Sequence, residues 1–331
     1  HAVITWFFLH SGRWELPPSR FIVHAGQTSV ALFFMITSFL FWGRILEARE
    51  RFSWANFFIA RFFRLYPVFL VMLGLVVLLS LVVGEYRRVY GSVIDSALIW
   101  TTMLATPDIN GVTQSWRMVA GVTWTLSYEW FFYFSLPFFG YIFAKTQRAG
   151  LAAFSFIICL ALAHYHGFSH SVLQSFMGGI IAAHLVRRPG IQGIASRRGA
   201  GLLALSALAS VVYFSPTAYS VPATIGLTIF FVCVAAGSDI YGILRRPALV
   251  WLGEITYSLY LIHGLFLYTF FEFLFPSISH YPMLYVFFSA LMTIAIVVVS
   301  TLSFLLIEEP CIRFGRKLQS QIFGKNFAGA T

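Results

Sequence analysis

Apolar positions in this chain come in long unbroken runs rather than in alternation. Residues 68–83 and 293–307 are the clearest, and short polar borders separate each run from the next. Strands of a membrane barrel alternate apolar and polar residues, so the pattern predicts helices. A helix needs about 20 predominantly apolar residues to cross a bilayer. Ten spans are predicted, at 1–10, 26–46, 62–84, 122–144, 150–165, 171–187, 200–215, 221–237, 249–273 and 283–307. The first has an apolar run of only 2–9 and the chain opens on His1, so it reads as a span truncated on its N-terminal side. A weaker run at 93–106, broken by Asp95 and several hydroxyls, predicts a re-entrant or interfacial segment. The fold class that follows is all-α, a polytopic transmembrane helical bundle. Neither an internal repeat nor a low-complexity region is visible, and no second soluble domain is expected.

Composition narrows this picture. Of 331 residues 59% are hydrophobic and 10% charged, whereas a soluble domain carries about 25% charged residues. The net charge is +10, with 22 Lys and Arg against 12 Asp and Glu. In a soluble chain such a balance would suggest nucleic acid. Here it orients the helices, because basic residues collect on the cytoplasmic side, so no nucleic-acid partner is expected and membrane lipids are. If 93–106 does not cross, seventeen of the 22 basic residues fall on one side, among them Arg61, Arg64, Lys145, Arg187, Arg245 and Lys317. Five, namely Arg13, Arg20, Arg87, Arg88 and Arg117, fall on the other. That split predicts both chain ends in the cytoplasm. The three cysteines, Cys159, Cys233 and Cys311, are far apart and show neither metal spacing nor a redox pair. The outer-loop histidines His164, His166 and His170 have no fitting acid nearby, and no metal is expected.

Ionisable groups inside a membrane cost several kcal/mol and so mark candidate sites. His10 closes the first span at its outer end, and Glu129 lies among aromatics in Trp124-Thr125-Leu126-Ser127-Tyr128-Glu129-Trp130. Glu129 is placed roughly 7–8 Å below the outer edge at 1.5 Å per residue. A carboxylate there needs a partner, and a structural ion pair is the competing account. Arg61 and Arg64 share a helical face through their spacing of three. They serve either as headgroup anchors or as ligands for phosphate at the cytoplasmic mouth. Tyr257, Tyr260 and His263 follow one another at the same spacing and predict a polar stripe toward the bundle interior. For His263 the plainer account is a satisfied buried histidine.

Together these segments resemble the acyltransferase family 3 membrane proteins, polytopic O-acyltransferases of bacterial surface glycans and related small molecules. Residues 124–133 resemble the family's W-S-L-x-E-x-x-F-Y block, and residues 30–40 its G-V-x-L-F-F-x-x-S-G-F block. Residues 61–67 resemble R-x-x-R-x-Y-P, residues 257–263 resemble Y-S-x-Y-L-x-H, and residues 307–310 resemble the terminal I-E-x-P. The family's first helix carries an Arg, ten residues and a His. His10 matches the His, and the Arg would fall two residues before His1. Thr37-Ser38 stands in place of Ser-Gly, and Thr125 in place of Ser.

The resemblance implies an acyltransferase-3-like transmembrane domain at 1–318 with a cytoplasmic tail at 319–331 and no esterase-like C-terminal domain. It implies a bacterial inner-membrane enzyme that moves an acyl group, expected to be acetyl, from cytoplasmic acyl-CoA to a hydroxyl of a carbohydrate or lipid-linked glycan at the outer side. His10 and Glu129 are then expected to be catalytic, the histidine as general base and the glutamate as its orienter. Arg61 and Arg64 are expected to hold CoA phosphates, which bidentate guanidinium groups suit. Trp124, Ser127, Tyr257, Tyr260 and His263 are expected to line the substrate channel. Tyr128 and Tyr133 are conceivable acyl carriers without support from any motif. The rival class is a proton-coupled secondary transporter or flippase, in which buried acids and bases relay protons. It usually shows repeated halves, which are not visible here. A structural scaffold would not need these intramembrane acids and bases.

Overall fold

The computed structural model describes residues 1–84, 90–146, 148–195 and 198–323. Arg87, Arg88, Arg197 and Lys325 of the charge argument, and the tail from 324 onward, lie outside the described residues. Within them the chain is helical and has no strand. The helices are α1 (Ala2–Ser11), α2 (Arg20–Ala48), α3 (Trp54–Val83), α4 (Tyr90–Thr101), α5 (Trp124–Ala144), α6 (Ala149–His166) and α7 (His170–Leu185). They continue as α8 (Pro189–Ala195), α9 (Arg198–Phe214), α10 (Val221–Ala235), α11 (Pro247–Glu254), α12 (Thr256–Leu267), α13 (Pro282–Ser303) and α14 (Glu309–Phe323). Each of the ten predicted spans is helical. Among the described residues five stretches are long and apolar enough to cross a membrane: Arg20–Arg51, Trp54–Val83, Ala149–His166, Thr256–Leu274 and Pro282–Phe323. The other predicted spans are shorter or carry more polar residues. The 93–106 segment contributes α4, whose 12 residues reach about 18 Å, short of the roughly 30 Å hydrocarbon core.

Three boundaries differ from the sequence pattern. The span expected at 62–84 begins eight residues earlier, because Ser53 caps it and accepts a hydrogen bond from the Asn56 amide at 3.4 Å. Arg61 and Arg64 therefore sit inside a 30-residue helix rather than at its mouth. Hydropathy alone starts the helix after Arg61, because a guanidinium counts against a span even when its stem packs along apolar neighbours. The span expected at 249–273 breaks between Glu254 and Thr256, at Ile255, and its end from Tyr268 to Leu274 is π-helical. The last span does not stop at 307. It passes through a π-helical turn, Phe304–Glu308, into α14, which is amphipathic and so invisible to a search for continuous apolarity.

The described chain divides into two compact units, each assembled from separate stretches. One comprises His1–Leu16, Ser53–Ser127 and Leu252–Thr331. In it α14 packs along α3, where Gly315 lies so near Phe63 that a Cβ would stand 2.8 Å from its side chain. Gln319 Nε2 donates to the Asn56 carbonyl at 2.7 Å in the same seam. α12 packs on α13 and on a 3-10 turn, Ser115–Val119. At Gly264 a Cβ would stand 2.2 Å from the Val119 carbonyl carbon, so only glycine admits this approach. The turn leaves through Ala120 and Gly121, both left-handed at φ +52° and +68°.

The other unit comprises Pro17–Phe52 and Tyr128–Trp251. Its main seam is α2 against α7, with α10 packed on α7 and α9. Met35 and Ala31 meet Ala182, Leu227 and Val211 in its core. The seam is tight because Gly178 and Gly179 face Met35 and Ser38, and a Cβ on Gly179 would stand 2.1 Å from the Met35 carbonyl oxygen. Small residues that let backbones approach are the usual means of joining helices in lipid. Here α7 supplies the glycines, opposite the Thr37-Ser38 pair that departs from the family pattern.

Candidate active site

α1 carries Trp6 and His10 four residues apart and hence on one face. It ends in a left-handed Gly12, φ +69°, whose amide returns to the Phe8 carbonyl at 2.8 Å. His10 is exposed, and its Nδ1 lies 2.8 Å from the Trp6 carbonyl oxygen. A carbonyl only accepts, so Nδ1 carries the hydrogen and Nε2 is the basic nitrogen of the neutral ring. The rings of Trp6 and His10 are 4.2 Å apart between centroids, and His280 approaches His10 edge-on at 6.0 Å. Trp6 is itself held, its Nε1 donating to the Ser279 carbonyl at 3.2 Å.

The second stripe runs along α12. Tyr260 meets the Thr125 hydroxyl at 3.0 Å and the Val122 carbonyl at 3.1 Å. One turn on, His263 sets Nδ1 against the Leu259 carbonyl at 3.2 Å and Nε2 against His1 Nδ1 at 2.8 Å. Tyr257 instead reaches α3, donating to the Leu65 carbonyl at 2.6 Å. Each of the three residues is tied to a different element. Ser127 donates to the Met103 carbonyl at 2.6 Å, which fixes the start of α5, while Trp124 is partly exposed at 38%.

Arg64 lies 3.1 Å from Glu308 Oε1, and the glutamate side chain is fully buried. Ser258 completes the arrangement, donating to Glu308 Oε2 at 2.6 Å. This joins three of the sequence motifs: R-x-x-R on α3, Y-S-x-Y on α12 and I-E-x-P at the end of the π-helical turn. Arg64 keeps about a third of its side-chain surface exposed while it is anchored from behind. Arg61, three residues earlier, is half-buried.

Glu129 belongs to the other unit and is almost fully buried at 2% exposure. Its Oε1 accepts hydrogen bonds from Tyr133 at 2.7 Å and from Thr37 at 3.4 Å. The Tyr133 hydroxyl is thus committed to the carboxylate, and Tyr128 accepts the Ser169 amide at 2.9 Å. His166 packs on Phe168 at 4.6 Å. Among the described residues no three His, Cys, Asp or Glu side chains converge as a metal site would require.

Two residues escaped sequence reasoning. Arg117 and Glu272 form an ion pair at 2.8 Å with side chains 14% and 9% exposed. Arg117 had counted only as an outer-side charge. The available signal was Glu272 itself, an acid within a predicted span.

The comparisons with known proteins bear on the family. A family model described as an acyltransferase domain matches residues 1–302. Acyltransferase MdmB of Streptomyces mycarofaciens is 25% identical over 283 residues, which cover 73% of this chain and 68% of that relative. No solved structure matches. Motif order, helical architecture and a family match over most of the chain converge, and the chain belongs to the acyltransferase 3 family.

Proposed function

We propose that the protein is a multi-pass membrane O-acyltransferase that moves an acyl group, acetyl in the simplest case, from acyl-CoA to a hydroxyl of a carbohydrate or lipid-linked glycan. The observation that carries this reading is His10: an exposed imidazole whose Nδ1–H is fixed on the Trp6 carbonyl, leaving Nε2 as base. Nε2 takes the proton of the acceptor hydroxyl as its oxygen attacks the thioester carbonyl. The C–S bond then breaks, and the imidazolium returns the proton to the departing thiolate. The Trp6 carbonyl does for this ring what a carboxylate does in a catalytic triad, namely hold the tautomer. Arg61 and Arg64 suit the phosphates of the donor, with Glu308, itself bonded by Ser258, holding the Arg64 guanidinium in place. The orienting role expected of Glu129 falls in this reading to the Trp6 carbonyl, and Glu129, whose Oε1 is held by Tyr133 and Thr37, is proposed to serve catalysis in another capacity. The membrane is proposed to be the bacterial cytoplasmic membrane, with the acceptor on the outer side and both chain ends inside.

The test supplies labelled acetyl-CoA and a candidate glycan to the purified protein. Transfer of label to the glycan is expected, and His10→Ala is expected to lower it by about 10²–10⁴-fold, the usual worth of a general base. Normal transfer by His10→Ala removes this residue from the chemistry. In a parallel assay with the protein in vesicles and the glycan labelled, glycan that accumulates unmodified inside supports the transporter instead.

A further inference from the structure

A buried ion pair is weak evidence for stability, since desolvation of two charges offsets most of their attraction. The Arg117–Glu272 pair therefore calls for another reason. Arg117 stands on the 3-10 turn Ser115–Val119, and Glu272 on the π-helical end of the α12 span, Tyr268–Leu274. The guanidinium carbon of Arg117 also lies 3.8 Å from the centroid of the Phe8 ring. Phe8 is on α1, two residues before His10, and that spacing places it on nearly the opposite side of the helix. Trp14, just past the end of α1, meets Phe8 at 5.9 Å and Trp116 at 5.9 Å. Trp116 is seated close against Gly121, where a Cβ would stand 3.2 Å from its ring. The helix that carries the proposed base is thus gripped from behind by a cation on an aromatic face, and that cation is locked by a carboxylate.

We propose that Arg117 and Glu272 are positioning residues, a clamp on the back of α1 that fixes the direction of His10 Nε2. The proposal rests on the reading of His10 as general base. A cation over an aromatic ring contributes most where water is excluded, and a guanidinium is the cation that can lie flat on a ring and pair with a carboxylate at once.

The experiment has two readouts. A spin label on Ser11→Cys, in a chain with Cys159, Cys233 and Cys311 replaced by alanine, reports the motion of the end of α1 whether or not the enzyme acts. Acyl transfer reports kcat and the KM for acetyl-CoA. Arg117→Ala and Glu272→Gln are each expected to mobilise the label and to lower kcat by about 10²-fold with little change in KM, the cost of a misplaced catalytic group. Arg117→Lys is expected to recover only part of kcat, and Arg13→Ala, on an exposed neighbouring arginine, to alter neither readout. An unchanged label in Arg117→Ala overturns the clamp. A mobilised label with unchanged kcat overturns its link to catalysis. His10→Ala measured alongside separates these outcomes: normal transfer there, with the label mobilised in Arg117→Ala, rejects the base and leaves the clamp on α1 standing.

Discussion

Arg64 and Glu308 show what a single position contributes and how unequal two partners can be. The glutamate side chain has no exposed surface and the arginine keeps a third of its own. Removing the arginine strands a buried carboxylate, whereas removing the carboxylate leaves a cation that can still turn toward water. Arg64→Ala is therefore expected to destabilise the protein by about 3 kcal/mol, in the range for breaking a buried pair, and Glu308→Gln by clearly less. Thermal unfolding in detergent checks the order, and equal losses would mean that Arg64 is not the group that keeps Glu308 charged. At this scale the sequence was informative about identity and silent about pairing. R-x-x-R, Y-S-x-Y and I-E-x-P were each recognisable as motifs. That Arg64, Ser258 and Glu308 meet depends on the packing of α3, α12 and the π-helical turn, which no local pattern records. Arg117 was hidden for a related reason, because a lone arginine in a polar stretch looks the same whether it faces water or a buried glutamate.

Among the elements, the seam between α2 and α7 depends on a glycine that has no room to grow. A methyl group on Gly179 meets the carbonyl of Met35, and backbone cannot step aside as a flexible side chain would. Gly179→Ala is expected to cost about 1–3 kcal/mol, the usual price of overpacking. Gly150→Ala on α6, where nothing lies within 4 Å, serves as the control. A shift in unfolding temperature no larger than the control's would show that α2 and α7 part freely. The elements themselves were largely legible, since burial in lipid demands continuous apolarity and continuous apolarity is easy to see. Their ends were not. Ser53 starts α3 through one hydroxyl, and α14 continues α13 as an amphipathic helix, so both extensions lie where hydropathy falls. The break at Ile255 was equally hidden, because nothing apolar is lost there.

For the whole molecule the decisive quantity is the asymmetry of charge. Seventeen basic residues against five predict that Arg13→Cys is labelled by an impermeant thiol reagent from outside the cell, and Arg245→Cys only after the membrane is opened. Both side chains are well exposed, at 78% and 77%. Labelling in the reverse order would invert the orientation and the side from which the donor is drawn. The helical class was legible from composition. The division into two units was not, because each is assembled from stretches far apart in the chain. One detail of α1 bears on how any member of such a molecule's lineage would be studied. The group that orients His10 is a peptide carbonyl, present whatever side chain occupies position 6. A library replacing every side chain in turn would report a histidine without a companion, and drift at that position could not erase the tautomer. Its imprint would be regiochemical instead: an electrophile entering the site would alkylate one ring nitrogen, and peptide mapping would recover a single isomer of modified His10.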